Sequence, residues 1–283
     1  MAPVAVSVEA MTDKLQVDLS GAPQTMLATL YGKALDADLP KSVLHDTYAR
    51  DIVARIDYDW SQTTITAANS PGVTLRSAYF DKTARQCLAV HPDAVVLHLG
   101  CGLDSRYYRL DPGPGVDWYD IDYPEVAELR RRLYPAREHC HIVSASVTDP
   151  AWLADIPTNR PVLMIAEGLT MYLSEADGQA LLRRIIERFP SGELQFDAFS
   201  RLGVKLQWTN GVVRRSGATL QWAIDGPDDV LSAVPRLRLL SWISAFDTDG
   251  YDLLPTGLRV MAAVMRAVPG MRYMSQYHRY SWG

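Results

Sequence analysis

Cys87, Cys101 and Cys140 are the only cysteines in this chain of 283 residues. An odd number excludes a fully paired disulfide framework, and the lack of close Cys pairs excludes a zinc ribbon, so three free thiols in a reducing cytoplasm are expected. Long hydrophobic runs are missing too: none reaches the roughly eighteen apolar residues that a membrane helix needs. The first twenty residues lack a cationic start followed by an apolar run and carry Glu9, Asp13 and Asp18, so they do not read as a secretory signal. Nor is there an excess of positive charge. With 28 Lys and Arg against 33 Asp and Glu, the formal net charge is -5, the wrong sign for a surface that displaces counterions from nucleic-acid phosphates. Small molecules or proteins are the expected partners, with no metal, membrane or nucleic acid.

What is present is the texture of an α/β protein of one domain. Residues 1–90 show helix-like apolar spacing broken at Leu39-Pro40 and at Asn69-Ser70-Pro71-Gly72, which predicts a helical N-terminal layer. From Ala94 onward, short apolar runs alternate with amphipathic stretches, the pattern of parallel strands joined by crossover helices. Strands are predicted at 94–99, 116–121, 140–145, 161–166, 193–199, 237–245 and 271–281, making seven. Helices are predicted at 124–134, at 174–189, where Ser174 and Asp177 resemble a capping pair, and at 257–268. The domain divides into the helical layer, a cofactor-binding core over 91–200, an insertion over 201–230 and the C-terminal part of the sheet over 231–283. The insertion reads equally well as a lid over a substrate or as a packed surface excursion.

The sharpest local signal is Val96-Leu97-His98-Leu99-Gly100-Cys101-Gly102-Leu103-Asp104. A strand ending in Gly-x-Gly can turn sharply and bring its backbone close to a ligand, because glycine has no Cβ and tolerates positive φ. The third glycine of a dinucleotide fingerprint is absent, which suits a nucleoside without a pyrophosphate. About twenty residues later the next strand ends at Asp122, where a carboxylate can accept hydrogen bonds from both ribose hydroxyls. Asp120 is two residues earlier and shares its side of the strand, so the spacing leaves open which aspartate reaches the sugar.

The run Leu99 to Leu110, with Tyr119-Asp120-Ile121-Asp122-Tyr123-Pro124-Glu125-Val126 and Ile165-Ala166-Glu167-Gly168-Leu169-Thr170-Met171-Tyr172-Leu173, resembles the leucine carboxyl methyltransferase family. The resemblance is strongest to the bacterial branch of polyketide O-methyltransferases of the tetracenomycin type. It implies a class I methyltransferase, a Rossmann-like fold with a seven-stranded sheet, six strands parallel and the last antiparallel, with S-adenosylmethionine as cofactor. Carried over by position, Gly100 and Gly102 border the cofactor, Asp122 holds the ribose, and Glu167 lies beside the methionine amino group. Arg76 matches a family arginine that binds the cofactor carboxylate, as a guanidinium suits a carboxylate, and Lys33 is a candidate second basic residue. The family's adenine-binding aspartate is replaced by Ser146-Val147; Ser146 or Asp149 is expected to take that hydrogen bond.

The expected activity is O-methylation of a small carboxylic acid or phenol, a polyketide or other secondary metabolite. Substrate contacts are expected from Tyr172 and, on composition alone, from Arg201, Lys205, Arg214 and Arg215 in the insertion. No histidine is assignable as a base. Arg106 and Arg109 are expected to brace acidic neighbours, and His98 to be a hydrogen-bonded core residue. The competing readings are a methyltransferase of protein C-terminal carboxylates, an NAD-dependent oxidoreductase, disfavoured by the missing third glycine, and a non-catalytic cofactor-binding scaffold.

Overall fold

The computed structural model describes residues 14–17 and 21–283, so the acidic positions Glu9, Asp13 and Asp18 lie outside the described residues. Strands β3 (Val95–Leu99) and β6 (Val162–Ala166) are buried at every position. Continuous apolar runs of this kind belong in the middle of a parallel sheet with helices on both faces. They sit side by side, followed outward by β4 (Asp117–Asp122) and β5 (Cys140–Ser144) on one flank and β7 (Gly192–Phe199) on the other. Beyond β7 lie β9 (Ser275–Trp282) and the edge strand β8 (Arg238–Ser244), giving the order β5-β4-β3-β6-β7-β9-β8. All neighbours pair parallel except those of β9, which runs antiparallel to both β7 and β8. The predicted seven strands, six in one direction and the last reversed, are all found. The last begins at Ser275 rather than at 271, because Gly270, with φ 82°, opens a turn that carries the chain to Met274.

The N-terminal layer is helical, as its spacing predicts, with α1 (Ala22–Ala37), α2 (Thr47–Arg55) and α3 (Pro71–Val90). Pro71 opens α3 in its first turn, where a missing N–H costs nothing. The two-residue strands β1 (Leu15–Gln16) and β2 (Ile56–Asp57) pair in parallel beside this layer. Short α4 (Arg106–Leu110) and then α5 (Pro124–Leu133) cross between strands, and α6 (Glu175–Arg188) is capped by Ser174, whose Oγ accepts the Asp177 N–H at 3.1 Å. Leu181, Leu182, Ile185 and Ile186 of α6 join the core on one face of the sheet, while Phe80 and Ala84 of α3 fill the other.

The insertion folds into α7 (Arg201–Lys205) and α8 (Gly211–Ser216), and α9 (Pro227–Ala233) follows. It is a closed excursion: Arg201 pairs with Asp225, and the Ile224 N–H returns to the Phe199 carbonyl at 2.9 Å. The helix α10 (Thr256–Ala267) then leads to β9. Among the described residues no helix is long and apolar enough to cross a membrane, and all three cysteines are free thiols.

Candidate cofactor and acceptor site

The chain reverses its winding direction between β3 and β6, so the loops leaving these strands diverge and open a crevice at their carboxyl ends. Three loops meet there. Leaving β3, Gly100 and Gly102 both hold left-handed backbone, φ 58° and 52°. A Cβ on Gly100 would come within 3.0 Å of the Leu169 side chain, and one on Gly102 within 3.1 Å of Met26. Leaving β6, Gly168 turns at φ 71°, its N–H donating to Asp197 Oδ1 at 2.6 Å. At the end of β4, Asp122 accepts the Gly102 N–H at 2.7 Å and the Tyr123 N–H at 2.8 Å. Each oxygen keeps a lone pair for a ligand, and burial pushes the carboxyl above its ordinary value.

The choice between the two aspartates of β4 is thereby made by the tertiary structure. Asp122 lines the cavity, whereas Asp120 is buried behind it, ion-paired to Arg130 and hydrogen-bonded to His98 Nδ1 at 2.8 Å and Trp118 Nε1 at 2.9 Å. Against burial, Arg130 and His98 hold the Asp120 carboxyl at about 2. His98 is accordingly a hydrogen-bonded core residue, its Nε2 3.2 Å from the Arg106 guanidinium.

At the other end of the cavity the charges interlock. Glu167 accepts Arg76 Nε at 3.0 Å, Ser77 Oγ at 2.8 Å and Arg106 Nη2. Arg106, wholly buried, also reaches Asp81 at 2.8 Å and Asp104 at 3.2 Å, while Arg109 ties Asp81 to Asp46 and Asp104. Lys33 of α1 closes the set 3.0 Å from Asp104. Burial opposes ionisation of Glu167, but Arg106, Lys33 and Arg76 overcome it and hold its carboxyl at about 2. Arg106 and Arg109 are thus braces among acidic groups. Arg76 keeps 18% of its side chain exposed and lies on the cavity wall, so it is the arginine of this network that a ligand can meet.

A carboxylate where a ribose would sit, glycine backbone where a nucleoside would pass, and mixed charge where an amino acid would end form a donor set that fits S-adenosylmethionine. A leucine carboxyl methyltransferase family profile matches residues 26–186, more than half the chain and all three loops. The chain belongs to the leucine carboxyl methyltransferase family. This methyltransferase is 43% identical to the tetracenomycin polyketide synthesis O-methyltransferase of Streptomyces glaucescens, over 94% of this chain and 98% of that one. An S-adenosyl-L-methionine-dependent methyltransferase of Gibberella zeae is 37% identical over 80% of this chain and 83% of its own. Among solved structures, one of a methyltransferase from Thermobifida fusca superposes with a TM-score of 0.63 at 13% identity, covering 98% of this chain and 99% of that one. At that identity it speaks for the class I fold alone. The NAD-dependent alternative falls with the family membership.

A second cavity of about 310 Å³ adjoins the first, and the two share Arg76, Tyr172, Gly168, Thr25 and Thr29 as walls. Its far side is aromatic, with Phe199, Phe246, Tyr251 and Tyr277, and among the described residues no His, Asp, Glu or Lys lines it. Burial raises the hydroxyls of Tyr172 and Tyr251 above their ordinary value and that of Tyr277 well above it, which keeps all three protonated as donors at neutral pH. The insertion reaches this cavity through Asn210, Val212 and Val213, and so covers one side of it.

Several predicted contacts are placed elsewhere. None of Arg201, Lys205, Arg214 and Arg215 lines either cavity. Arg201 is spent on Asp225 at the surface, and Arg215 reaches the Gln62 carbonyl at 3.4 Å; the short helices turn their basic side chains outward and their valines inward. Ser146 and Val147 are absent from the cofactor cavity's wall as well. Ser146 Oγ is engaged in its own turn with Thr148 Oγ1 at 2.8 Å, Val147 is packed in the core, and Asp149 caps a following turn. Sequence reasoning missed Asp197, which locks both Arg76, at 2.8 Å, and the Gly168 N–H. Its signal was available: a lone carboxylate between Phe196 and Ala198 in a buried strand is rare unless paired.

Proposed function

We propose that the protein transfers the methyl group of S-adenosylmethionine to a carboxylate oxygen of an aromatic, polyketide-like small molecule. The observation that carries this reading is the junction of the two cavities, where Arg76 and Tyr172 face an acceptor space that has no general base on its wall among the described residues. A phenol, with pKa about 10, needs a base to surrender its proton near neutrality, whereas a carboxylic acid, with pKa about 4, arrives ionised.

Gly100, Gly102, Asp122 and Glu167 hold the cofactor in this reading, with Lys33 and Arg76 at its carboxylate end. Bound there, S-adenosylmethionine supplies a methyl group on a positively charged sulfur. The protein's part is alignment and exclusion of water, and orientation of this kind contributes several kcal/mol. The hydrogen bonds of Arg76 to protein use Nε and Nη1, which leaves Nη2 for a ligand carboxylate. Tyr172, with Thr25 hydrogen-bonded to its hydroxyl, offers a protonated donor at the same junction. The resemblance to a polyketide O-methyltransferase and the aromatic wall favour a planar acceptor over a protein C-terminus. The three free thiols suit a cytoplasmic enzyme.

Calorimetry with S-adenosylmethionine, S-adenosylhomocysteine and NAD tests the cofactor, and binding of NAD alone or of none sinks the reading. Aromatic acids and matched phenols are then offered with methyl-labelled cofactor. An ester releases its label as methanol in mild alkali, whereas a phenol ether retains it; an alkali-stable product would refute the carboxylate assignment.

A further inference from the structure

Phe199 and Asn210 are walls not only of the second cavity but also of an adjoining recess of about 170 Å³, closed by Leu206, Leu220 and Met274. Among the described residues no ionisable side chain lines this recess. Its polar groups are mostly engaged by protein: Gln207 Oε1 accepts the Leu220 N–H at 2.8 Å, its Nε2 donates to the Leu220 carbonyl at 3.3 Å, and Thr209 Oγ1 donates to the Leu206 carbonyl at 2.8 Å. Asn210 differs. Its Oδ1 caps α8 by accepting the Val212 and Val213 N–H groups, while its Nδ2 makes no hydrogen bond among the described residues. Asn210, whose amide donor has no partner among the described residues, is thus a wall residue of both compartments.

The recess also differs in origin from the cofactor cavity. The family profile ends at residue 186, and every residue of the recess comes from 199–274, so it belongs to the acceptor side of this chain and not to cofactor binding common to the family. Pockets for ligands of drug size run from about 300 to 1,000 Å³. The second cavity alone barely enters that range, and the recess lies against it across the shared Phe199 and Asn210.

We propose that the recess is a distal compartment of the acceptor site, an uncharged slot for the far ring of a multi-ring aromatic acid, with Asn210 Nδ2 donating to a carbonyl or quinone oxygen on that ring. The inference rests on the second cavity being the acceptor site. It is tested by calorimetric binding of naphthoic acid and of an anthraquinone carboxylic acid to the full chain loaded with S-adenosylhomocysteine, a readout that needs no turnover. The wild type is expected to bind the longer acid more tightly. Leu206→Trp, which fills the slot, is expected to weaken the longer acid about tenfold more than the shorter one, the scale of a lost apolar fit. Asn210→Asp keeps the capping oxygen and removes the donor, and Asn210→Ser keeps a capping hydroxyl; each is expected to weaken the longer acid about tenfold, as for one lost hydrogen bond. Retained binding of S-adenosylhomocysteine shows that each variant is folded. Equal effects on both acids, no effect on either, or a wild type that binds neither acid would overturn the compartment. An acid that binds as expected but is never methylated leaves the compartment standing and overturns the proposed reaction instead.

Discussion

Neutralising Glu167 probes the buried charge network where it is most connected. Glu167 is 5% exposed and receives Arg76, Ser77 and Arg106, the last wholly buried. In Glu167→Gln the side chain keeps its shape, and one oxygen can still accept a hydrogen bond, but Arg106 and Arg76 lose a negative partner in a place where water cannot replace it. Removing one member of a buried pair costs about 3–5 kcal/mol. In a domain of this size each kcal/mol lowers Tm by roughly 2–4 °C, so a drop of about 6–20 °C is expected in a thermal melt followed by circular dichroism. The control is Arg201→Ala, which breaks an ion pair whose members are 70% and 44% exposed. Exposed pairs contribute about 1 kcal/mol or less, so its melt should fall by no more than about 4 °C. Because Glu167 also borders the cofactor cavity, saturating S-adenosylhomocysteine should raise the variant's Tm by less than the wild type's. If Glu167→Gln melts within about 2 °C of the wild type, the charges are compensated by other groups and the network does not have the role assigned to it.

If Asp122 accepts from both ribose hydroxyls as proposed, Asp122→Ala removes two hydrogen bonds to a charged group at about 1.5–3 kcal/mol each, and calorimetry should show S-adenosylmethionine binding weakened by about a hundredfold or more. Since burial raises the Asp122 carboxyl, wild-type affinity should fall on acidification at a pH above the ordinary aspartate value, and an affinity flat down to about pH 4 would contradict the assignment. Gly100→Ala should lower stability by about 1–2 kcal/mol, chiefly through its positive φ, because the nearby Leu169 methyl can shift; an unchanged melt would show that the turn relaxes. Acid stability follows from Glu167 and Asp120. Both are held at about 2 in the fold against 4.5 and 3.8 unperturbed, so their stabilisation is complete above those values and is lost as pH falls through them toward 2. The raised carboxyls of Asp122 and Asp197 act in the opposite sense, since protonating them relieves a cost. Urea midpoints measured from neutral pH to about pH 3 should therefore decline with a slope that Glu167→Gln makes shallower.

Much of the fold was legible because its signals are local. Continuous apolar runs marked β3 and β6, Pro124 and Ser174 marked the starts of α5 and α6, and the glycines at 100 and 102 marked a turn that holds positive φ. The strand-end residues of the proposed cofactor site, Gly100, Asp122 and Glu167, were legible for the same reason. The acceptor half was not. Phe199, Asn210, Phe246, Tyr251 and Tyr277 are spread over almost eighty residues and share no pattern, and the arginines of the insertion drew attention by charge while its valines and Asn210 lie on the cavity.

Read alone, the chain disclosed its seven strands, the position of the glycine turn and the family, because hydrophobic periodicity, backbone conformation and contiguous motifs are all written within a few residues of chain; the reversed last strand followed only from the family resemblance. Three-dimensional packing was needed to show which of two aspartates meets the cavity, which carboxylates the buried arginines brace, and where the insertion turns its charges. Those outcomes depend on what lies opposite each side chain across the sheet: Arg130 on α5 captures Asp120, and Asp197 on β7 fixes Arg76. A buried charge is placed by its partner, and the partner comes from elsewhere in the chain.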